Sequence, residues 1–232
     1  MKAHRFIGSF DFNNSMIKVH DQEFLNQVKN VLRLKIGELF VLCDGKMNEA
    51  EAKIKEFKKD FVEVEILKTM QNKNEPEKTT VLYCSVLKKE NFEWVVQKAT
   101  EIGVKEIMPV LAKRTVKMNL RSDRLEKIIR EASEQSGRGI VPRLHSVAGF
   151  EAALNHAKEN NQVNFFLDVS GHGIDNSKPT KLQTGVFVGP EGGWDNSEIE
   201  KAQEIGFEVV SLSKLILRAE TAAILGVYSV LV

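Results

Sequence analysis

Cysteine is scarce in this sequence of 232 residues, where Cys43 and Cys84 are the only two. Each lies inside an apolar run, and neither belongs to a Cys-x-x-Cys pair or a Cys/His cluster. Neither a disulfide framework nor a zinc site is therefore indicated. We expect both thiols to be small residues of the hydrophobic core.

Long hydrophobic runs are also missing. None approaches the roughly 20 apolar residues that a membrane-spanning helix needs, and residues 1–5 do not open a signal-peptide core. The composition, 42% hydrophobic and 28% charged, is ordinary for a globular protein and allows one large or two small domains. We expect a cytoplasmic protein with no membrane partner.

The two common nucleotide-binding fingerprints are absent from the glycine-rich segment GPEGGW at residues 189–194. It lacks the Gly-Lys-Ser/Thr end of a P-loop and does not match Gly-x-Gly-x-x-Gly. It follows the apolar run 186–188 and precedes a helix predicted to start at Asp195, with Glu198 reaching back to complete a capping box. Backbone amides at such a strand end point outward and can hold a polar ligand. A generic turn between a strand and a helix is the alternative.

The formal net charge is only +1, but one stretch is basic. Between Lys113 and Arg143 nine basic residues stand against four acidic ones. This asymmetry is typical of a polyanion that touches one face of a protein. The alternative is an ordinary solvated helix surface.

Two domains are predicted from a change of pattern along the chain. Residues 1–72 contain short alternating runs typical of a small β-barrel, interrupted by a helical segment at 21–34. The polar, proline-containing stretch 73–79 is predicted to be an exposed linker. Residues 80–232 alternate strand and helix signals, which predicts an α/β domain with a parallel sheet.

The helix end EASEQSGR, at residues 131–138, lies inside the basic stretch. The Arg138 guanidinium could hold a phosphate through two hydrogen bonds, and the Gln135 amide could contact a base edge. A surface helix end with a glycine cap is the alternative. The five histidines are scattered without a metal-ligand spacing, so no metal site is expected.

The C-terminal segment LILRAETA, at residues 215–222, places Arg218 and Glu220 among apolar neighbours. An unpaired charge in a buried segment would cost several kcal/mol. The pair therefore indicates either a functional site or a buried structural ion pair.

Five ordered motifs make the chain similar to a known family. They are VLRL at 31–34 with Gly37, QKATEIGV at 97–104 with Pro109, the 131–138 segment with Val141 and Pro142, and the segments 189–194 and 215–222. With them the chain resembles the bacterial 16S ribosomal RNA uridine N3-methyltransferases of the SPOUT superfamily. The similarity covers most of the sequence.

The resemblance implies a PUA-like RNA-binding β-barrel followed by a SPOUT domain with a parallel sheet and a C-terminal trefoil knot. It also implies S-adenosyl-L-methionine as the methyl donor, 16S rRNA in the assembled small ribosomal subunit as the substrate, and a homodimer. On this basis we expect the cofactor to contact Leu167, Gly189, Glu191, Gly192, Gly193, Leu212, Ser213, Ile216 and Leu217. We expect the RNA to contact Arg33, Lys113, Arg114, Gln135 and Arg138.

A mechanism follows as a hypothesis. Arg114, Arg138 and Arg218 would orient the RNA and stabilise a uridine anion, while Glu220 would pair with an arginine or remove the N3 proton. Glu191 and water are the alternative proton acceptors. A non-catalytic RNA-binding assembly factor and a SPOUT enzyme acting on another RNA site are the competing functions.

Overall fold

The computed structural model describes residues 4–116, 119–173 and 183–231, the side chain of Lys89 excepted. The chain divides into two compact units. The first comprises the chain up to Glu75 together with Ser133–Val141, and the second comprises Pro76–Ala132 and the chain from Pro142 onward. The division after Glu75 lies inside the predicted linker. No sequence signal anticipates that Ser133–Val141 belongs to the first unit.

The first unit is built on a five-stranded sheet. Its strands are β1 (His4–Ile7), β2 (Met16–Val19), β3 (Leu39–Cys43), β4 (Asn48–Phe57) and β5 (Val62–Gln71). They pair in the order β1-β3-β4-β5-β2, with β1 parallel to β3 and the other pairs antiparallel. Phe6 meets Phe24 and Phe40 edge to face in the core of this unit. The prediction of a small N-terminal β domain is confirmed.

The predicted helix at 21–34 is shorter and less regular than a single α-helix. Helix α1 (Gln22–Asn26) starts where the Asp21 carboxylate accepts the Phe24 N–H at 2.7 Å, and a π-helical turn, Gln27–Val31, follows it. The Leu32 N–H donates to the Gln27 carbonyl at 2.8 Å, which closes the wider turn. The predicted helical segment is confirmed over Gln22–Val31, where a short α-helix passes into a π-helical turn.

The second unit contains a seven-stranded sheet in which every pair of strands is parallel. Its strands are β6 (Thr79–Ser85), β7 (Glu106–Leu111), β8 (Arg143–Leu144), β9 (Ala148–Gly149), β10 (Val163–Gly173), β11 (Gln183–Val188) and β12 (Glu208–Ser211). The order is β12-β10-β11-β6-β7-β8, and β9 also pairs with β7. The predicted parallel α/β sheet is confirmed.

Five further helices accompany this sheet: α2 (Lys89–Ile102), α3 (Ser122–Ser136), α4 (Phe150–Asn160), α5 (Asn196–Glu204) and α6 (Ala219–Leu231). The last residues of α3 are those counted in the first unit. Among the described residues, no helix combines the length and the apolar character that crossing a membrane requires.

The order of the strands in this sheet brings distant segments of the chain to one edge. The carboxyl ends of parallel strands meet at one edge of a sheet, and β10 lies between β12 and β11. The loops that follow β11 and β12 therefore lie on the same side of the sheet, on either side of β10. After β12 the chain returns over the sheet, because α6 packs against α2, β6 and β11. A Cβ atom at Gly226 would lie 2.6 Å from Leu167 Cδ1, so glycine permits this close approach.

Candidate active site

A cavity of about 620 Å³ opens at the carboxyl ends of β11 and β12, beside the middle of β10. Its walls come from residues 167–169 of β10, the end of β12 at 210–211, the loops that follow β11 and β12, and the start of α6. All nine residues predicted to contact the cofactor line it, and so do Arg218 and Glu220. The structure therefore brings together the segments 189–194 and 215–222, which are separated by 20 residues in the sequence.

The glycine-rich loop after β11 is shaped by a buried tryptophan. Trp194 Nε1 donates to the Leu167 carbonyl at 3.1 Å, and its ring lies 3.2 Å from where a Cβ of Gly189 would be. The Gly193 N–H donates to the Pro190 carbonyl at 2.8 Å, and Gly193 has a φ of 68°. That backbone conformation favours glycine, since a Cβ there crowds the following carbonyl. The loop is thus a fixed turn against the core.

The helix after this loop starts as predicted, with a complete capping box. The Asp195 side chain accepts the Ser197 N–H, and Glu198 Oε2 accepts the Asp195 N–H at 2.9 Å. Glu198 is 2% exposed, and its second oxygen accepts the Lys113 N–H, also at 2.9 Å. One buried carboxylate therefore joins the start of α5 to the loop after β7.

Two of the predicted RNA-contacting cations lie on that loop after β7. Lys113 Nζ is 3.2 Å from Asp195 Oδ1, and Arg114 donates to the Gly192 carbonyl at 3.1 Å and to Asp195 Oδ2 at 3.4 Å. Hydrogen bonds from Ser197 and then from Lys113 lower the pKa of Asp195 to about 2. Arg114 is thereby held beside the glycine-rich loop, with its guanidinium half-exposed.

Glu191 lies exposed on the cavity wall. Its Oε1 accepts the backbone N–H of Lys88 at 3.1 Å, which connects the loop after β11 to the loop after β6. Lys88 and Asn91 also line the cavity, and the sequence analysis missed both. No local sequence signal marks them, because they reach the cavity only through the pairing of β6 with β11, which brings the carboxyl end of β6 to the same edge of the sheet.

The segment after β12 places the two predicted charges at the surface of the cavity. Arg218 is exposed just before α6, and its carbonyl accepts the Ala222 N–H at 2.9 Å, while Glu220 is half-buried in the first helical turn. The alternative of a buried structural ion pair is wrong, because the Arg218 side chain is not buried. Leu215 and Ile216, in the same loop, are 74% and 89% exposed.

Arg138 lies elsewhere, in the first unit. It is 5% exposed, and its Nη2 is 2.7 Å from Glu75 Oε2, while Glu75 Oε1 accepts the backbone N–H groups of Gly139 and Ile140. A guanidinium buried against a carboxylate is withdrawn from both RNA and the reacting base. Its placement argues against the predicted RNA-binding and catalytic roles and favours a structural one.

The remaining predicted RNA-contacting residues, Arg33 and Gln135, are exposed and also belong to the first unit. Arg33 has a φ of 54°. Part of the basic stretch is neutralised, because Arg124 forms two hydrogen bonds with the Glu93 carboxylate. Lys117, another member of that stretch, lies outside the described residues.

Comparison with known proteins identifies two domain families along the chain. The family described as RNA methyltransferase domain matches residues 73–230, and the family described as RNA methyltransferase PUA domain matches residues 28–67. The second match covers β3, β4 and most of β5 in the first unit, so the predicted PUA-like domain is confirmed.

Relatives that share one name match most of this chain. Ribosomal RNA small subunit methyltransferase E of Mesomycoplasma hyopneumoniae is 36% identical over 166 residues, which cover 69% of this chain and 72% of that protein. The protein of the same name from Rickettsia conorii is 30% identical, with 99% of this chain and 96% of the relative covered. Among solved structures, the chain is similar to ribosomal RNA small subunit methyltransferase E from Neisseria gonorrhoeae, crystallised with bound S-adenosyl methionine. The TM-score is 0.86 at 29% sequence identity, and the match covers 97% of this chain and 95% of the Neisseria chain. The chain therefore belongs to the ribosomal RNA small subunit methyltransferase E family.

Proposed function

We propose that this chain transfers a methyl group from S-adenosylmethionine to N3 of a specific uridine in 16S rRNA. The cavity is the observation behind the proposal, because the predicted cofactor residues line it together with the exposed Arg218 and the carboxylate of Glu220. The name of the relatives supports ribosomal RNA of the small subunit as the substrate class. Such a substrate would place the activity in the cytoplasm.

The cavity fits the methyl donor in size and in chemistry. Its volume of about 620 Å³ falls within the range of about 300–1,000 Å³ typical of small-molecule sites. Leu167, Leu212 and Leu217 offer apolar surface for a heteroaromatic ring, and the turn at 189–193 offers backbone polar groups. When bound, the cofactor supplies a methyl group already activated on a sulfonium sulfur. We propose that all nine predicted residues hold it, within a C-terminal trefoil knot.

The protein must then make uridine N3 nucleophilic. N3 carries a weakly acidic proton, and its loss spreads negative charge onto the two carbonyl oxygens of the base. We assign stabilisation of this charge to Arg218 and Arg114, which are exposed at or beside the cavity. Glu191 already accepts the Lys88 N–H, so we assign proton removal to Glu220 and a positioning role to Glu191.

The RNA is proposed to approach from the side of Lys113 and Arg114. Both are exposed cations on one loop beside the glycine-rich turn, where phosphate contacts would position the target base over the cavity. Arg33 and Gln135 are proposed as further RNA contacts. The assembled small subunit is the proposed substrate, because one uridine must be selected in a folded RNA and turned out of its stack.

We further propose that the enzyme acts as a homodimer. Large apolar side chains are exposed near the cavity and on two packed helices: Leu215, Ile216, Leu225, Tyr228 and Trp94. Such a patch is typical of a surface that another chain covers. Sedimentation velocity of the wild type and of Tyr228→Arg tests this, since a dimer that persists unchanged in the variant would remove α6 from the interface.

Methyl transfer to small subunits that lack the modification tests the proposed function. We expect the wild type to incorporate labelled methyl groups, and nucleoside mass spectrometry to find 3-methyluridine. Arg218→Ala should lower kcat/KM by about 10²–10³-fold, as loss of one charge-stabilising group does. Glu220→Gln should lower it by about 10²–10⁴-fold, as loss of a proton acceptor does.

Lys214→Ala is the matched control, because Lys214 is an exposed cation on the same loop that is not part of the described cavity wall. It should retain wild-type activity. Full activity in both Arg218→Ala and Glu220→Gln would show that neither residue takes part in the mechanism. Methylation of a 2′-hydroxyl instead of N3 would replace the proposed reaction, and binding without any methylation would favour an assembly factor.

A further inference from the structure

Three side chains far apart in the sequence meet at the edge of the second unit's sheet. Glu106 is the first residue of β7, His145 directly follows β8, and His156 lies on α4. One ligand atom from each residue lies within 4.8 Å of the other two. His145 Nε2 is 2.6 Å from Glu106 Oε2, and the two imidazole rings are 5.1 Å apart between centroids. All three residues are partly buried.

A supporting shell holds His156 in place. Its Nδ1 lies 2.8 Å from the Tyr83 hydroxyl, whose oxygen also accepts a hydrogen bond from Asn161 Nδ2 at 3.1 Å. Tyr83 is fully buried and stacks on Phe187 at 4.3 Å between ring centroids. Metal-binding histidines commonly donate their second ring N–H to such a partner, which orients the ring. If Nδ1–H donates to the Tyr83 oxygen, the lone pair of Nε2 is available to a cation.

We propose that Glu106, His145 and His156 bind a divalent transition-metal ion of the zinc class. Two imidazoles and one carboxylate are a ligand set that Zn²⁺ accepts, with a water molecule in the fourth position. Metal–ligand bonds of about 2.0 Å in a tetrahedral site place ligand atoms about 3.3 Å apart. Small side-chain rotations would reach that spacing, with the ion replacing the hydrogen bond between His145 and Glu106.

The site is separate from the proposed cofactor cavity. Glu106 stands at the amino end of β7, whereas the cavity lies at the carboxyl ends of β11 and β12, which are not adjacent to β7 in the sheet. A bound ion would join three elements of the second unit, namely β7, the segment after β8 and α4. Arg143 and Glu159 also act electrostatically on His156, with opposite signs. The proposal does not rest on the methyltransferase activity.

Cobalt and zinc titrations of the metal-free full-length protein test the site. We expect one equivalent of Co²⁺ to give the visible absorption bands of a low-coordinate ion, and Zn²⁺ to displace it. His156→Gln and Glu106→Gln should abolish the bands. Tyr83→Phe, which removes only the supporting hydroxyl, should weaken binding by about 10–100-fold. His20→Gln is the control, because His20 is exposed and lies in the first unit.

Two further measurements keep the outcome clear. Far-UV circular dichroism verifies that each variant is folded, and anomalous diffraction at the zinc edge should show one peak among the three side chains. The proposal is overturned if the wild type takes up no metal, if His156→Gln binds as well as the wild type, or if His20→Gln loses binding to the same extent. If the wild type takes up no metal, the contact between His145 and Glu106 is only an internal hydrogen-bonded pair.

Discussion

The buried carboxylate of Glu198 provides the sharpest stability prediction. It is 2% exposed and accepts two backbone N–H groups, those of Asp195 and Lys113, both at 2.9 Å. A hydrogen bond to a charged group contributes about 1.5–3 kcal/mol. Glu198→Ala leaves both donors without that partner, so we expect the free energy of unfolding of the second unit to fall by about 3 kcal/mol or more. Glu198→Gln keeps one acceptor oxygen and should lose about half as much.

Urea denaturation followed by tryptophan fluorescence measures these changes, since Trp194 is buried in the same unit. Glu200→Ala is the matched control, because Glu200 lies exposed on the same helix. It should change the free energy of unfolding by no more than about 0.5 kcal/mol. If Glu198→Ala and Glu200→Ala unfold at the same urea concentration, the two backbone contacts of Glu198 do not stabilise this loop, and the reasoning fails.

Three other predictions concern the turn, the buried arginine and the cap. Gly193→Ala should lower the free energy of unfolding by about 1 kcal/mol or more, because a φ of 68° is unfavourable for a residue with a Cβ. Gly192→Ala should lower it less, since the added Cβ would only contact Arg114 at 3.5 Å, and thermal unfolding compares the two variants. Arg138→Ala should cost about 3 kcal/mol in unfolding free energy, against about 0.5 kcal/mol or less for the exposed Arg33→Ala; equal values would contradict a buried structural role. The pKa of Asp195 falls from 3.8 to about 2, so its stabilising contribution is present above the higher value and lost as the pH falls towards the lower one. The stability difference between the wild type and Asp195→Asn should therefore shrink over that interval in urea titrations, and a difference independent of pH would contradict the assignment.

Local signals in the sequence predicted the features that depend on neighbouring residues. Asp195 and Glu198 are three residues apart, so their capping box could be recognised before the structure was known. The apolar run before the glycine-rich loop likewise predicted strand β11 and the exposed strand end. The alternation of strand and helix signals predicted the parallel sheet, because helices must cover both its faces.

Contacts between distant residues could not be predicted in this way. Arg138 is buried because it meets Glu75, 63 residues earlier in the chain. His145 and Glu106 are separated by 39 residues and come together only through the pairing of β7 with β8. Lys88 reaches the cavity because β6 pairs with β11, a neighbour that the sequence order does not reveal. The family resemblance supplied the cofactor residues, since composition and spacing alone left the glycine-rich loop open to other interpretations.

The central claim is that the segments after β11 and β12 form one pocket for S-adenosylmethionine. Isothermal titration calorimetry of the purified full-length protein with this compound tests it most directly. We predict saturable binding of one molecule per chain, which Gly193→Ala weakens and Lys214→Ala leaves unchanged. A folded wild-type protein that shows no binding heat, alone or mixed with small ribosomal subunits, would contradict the account.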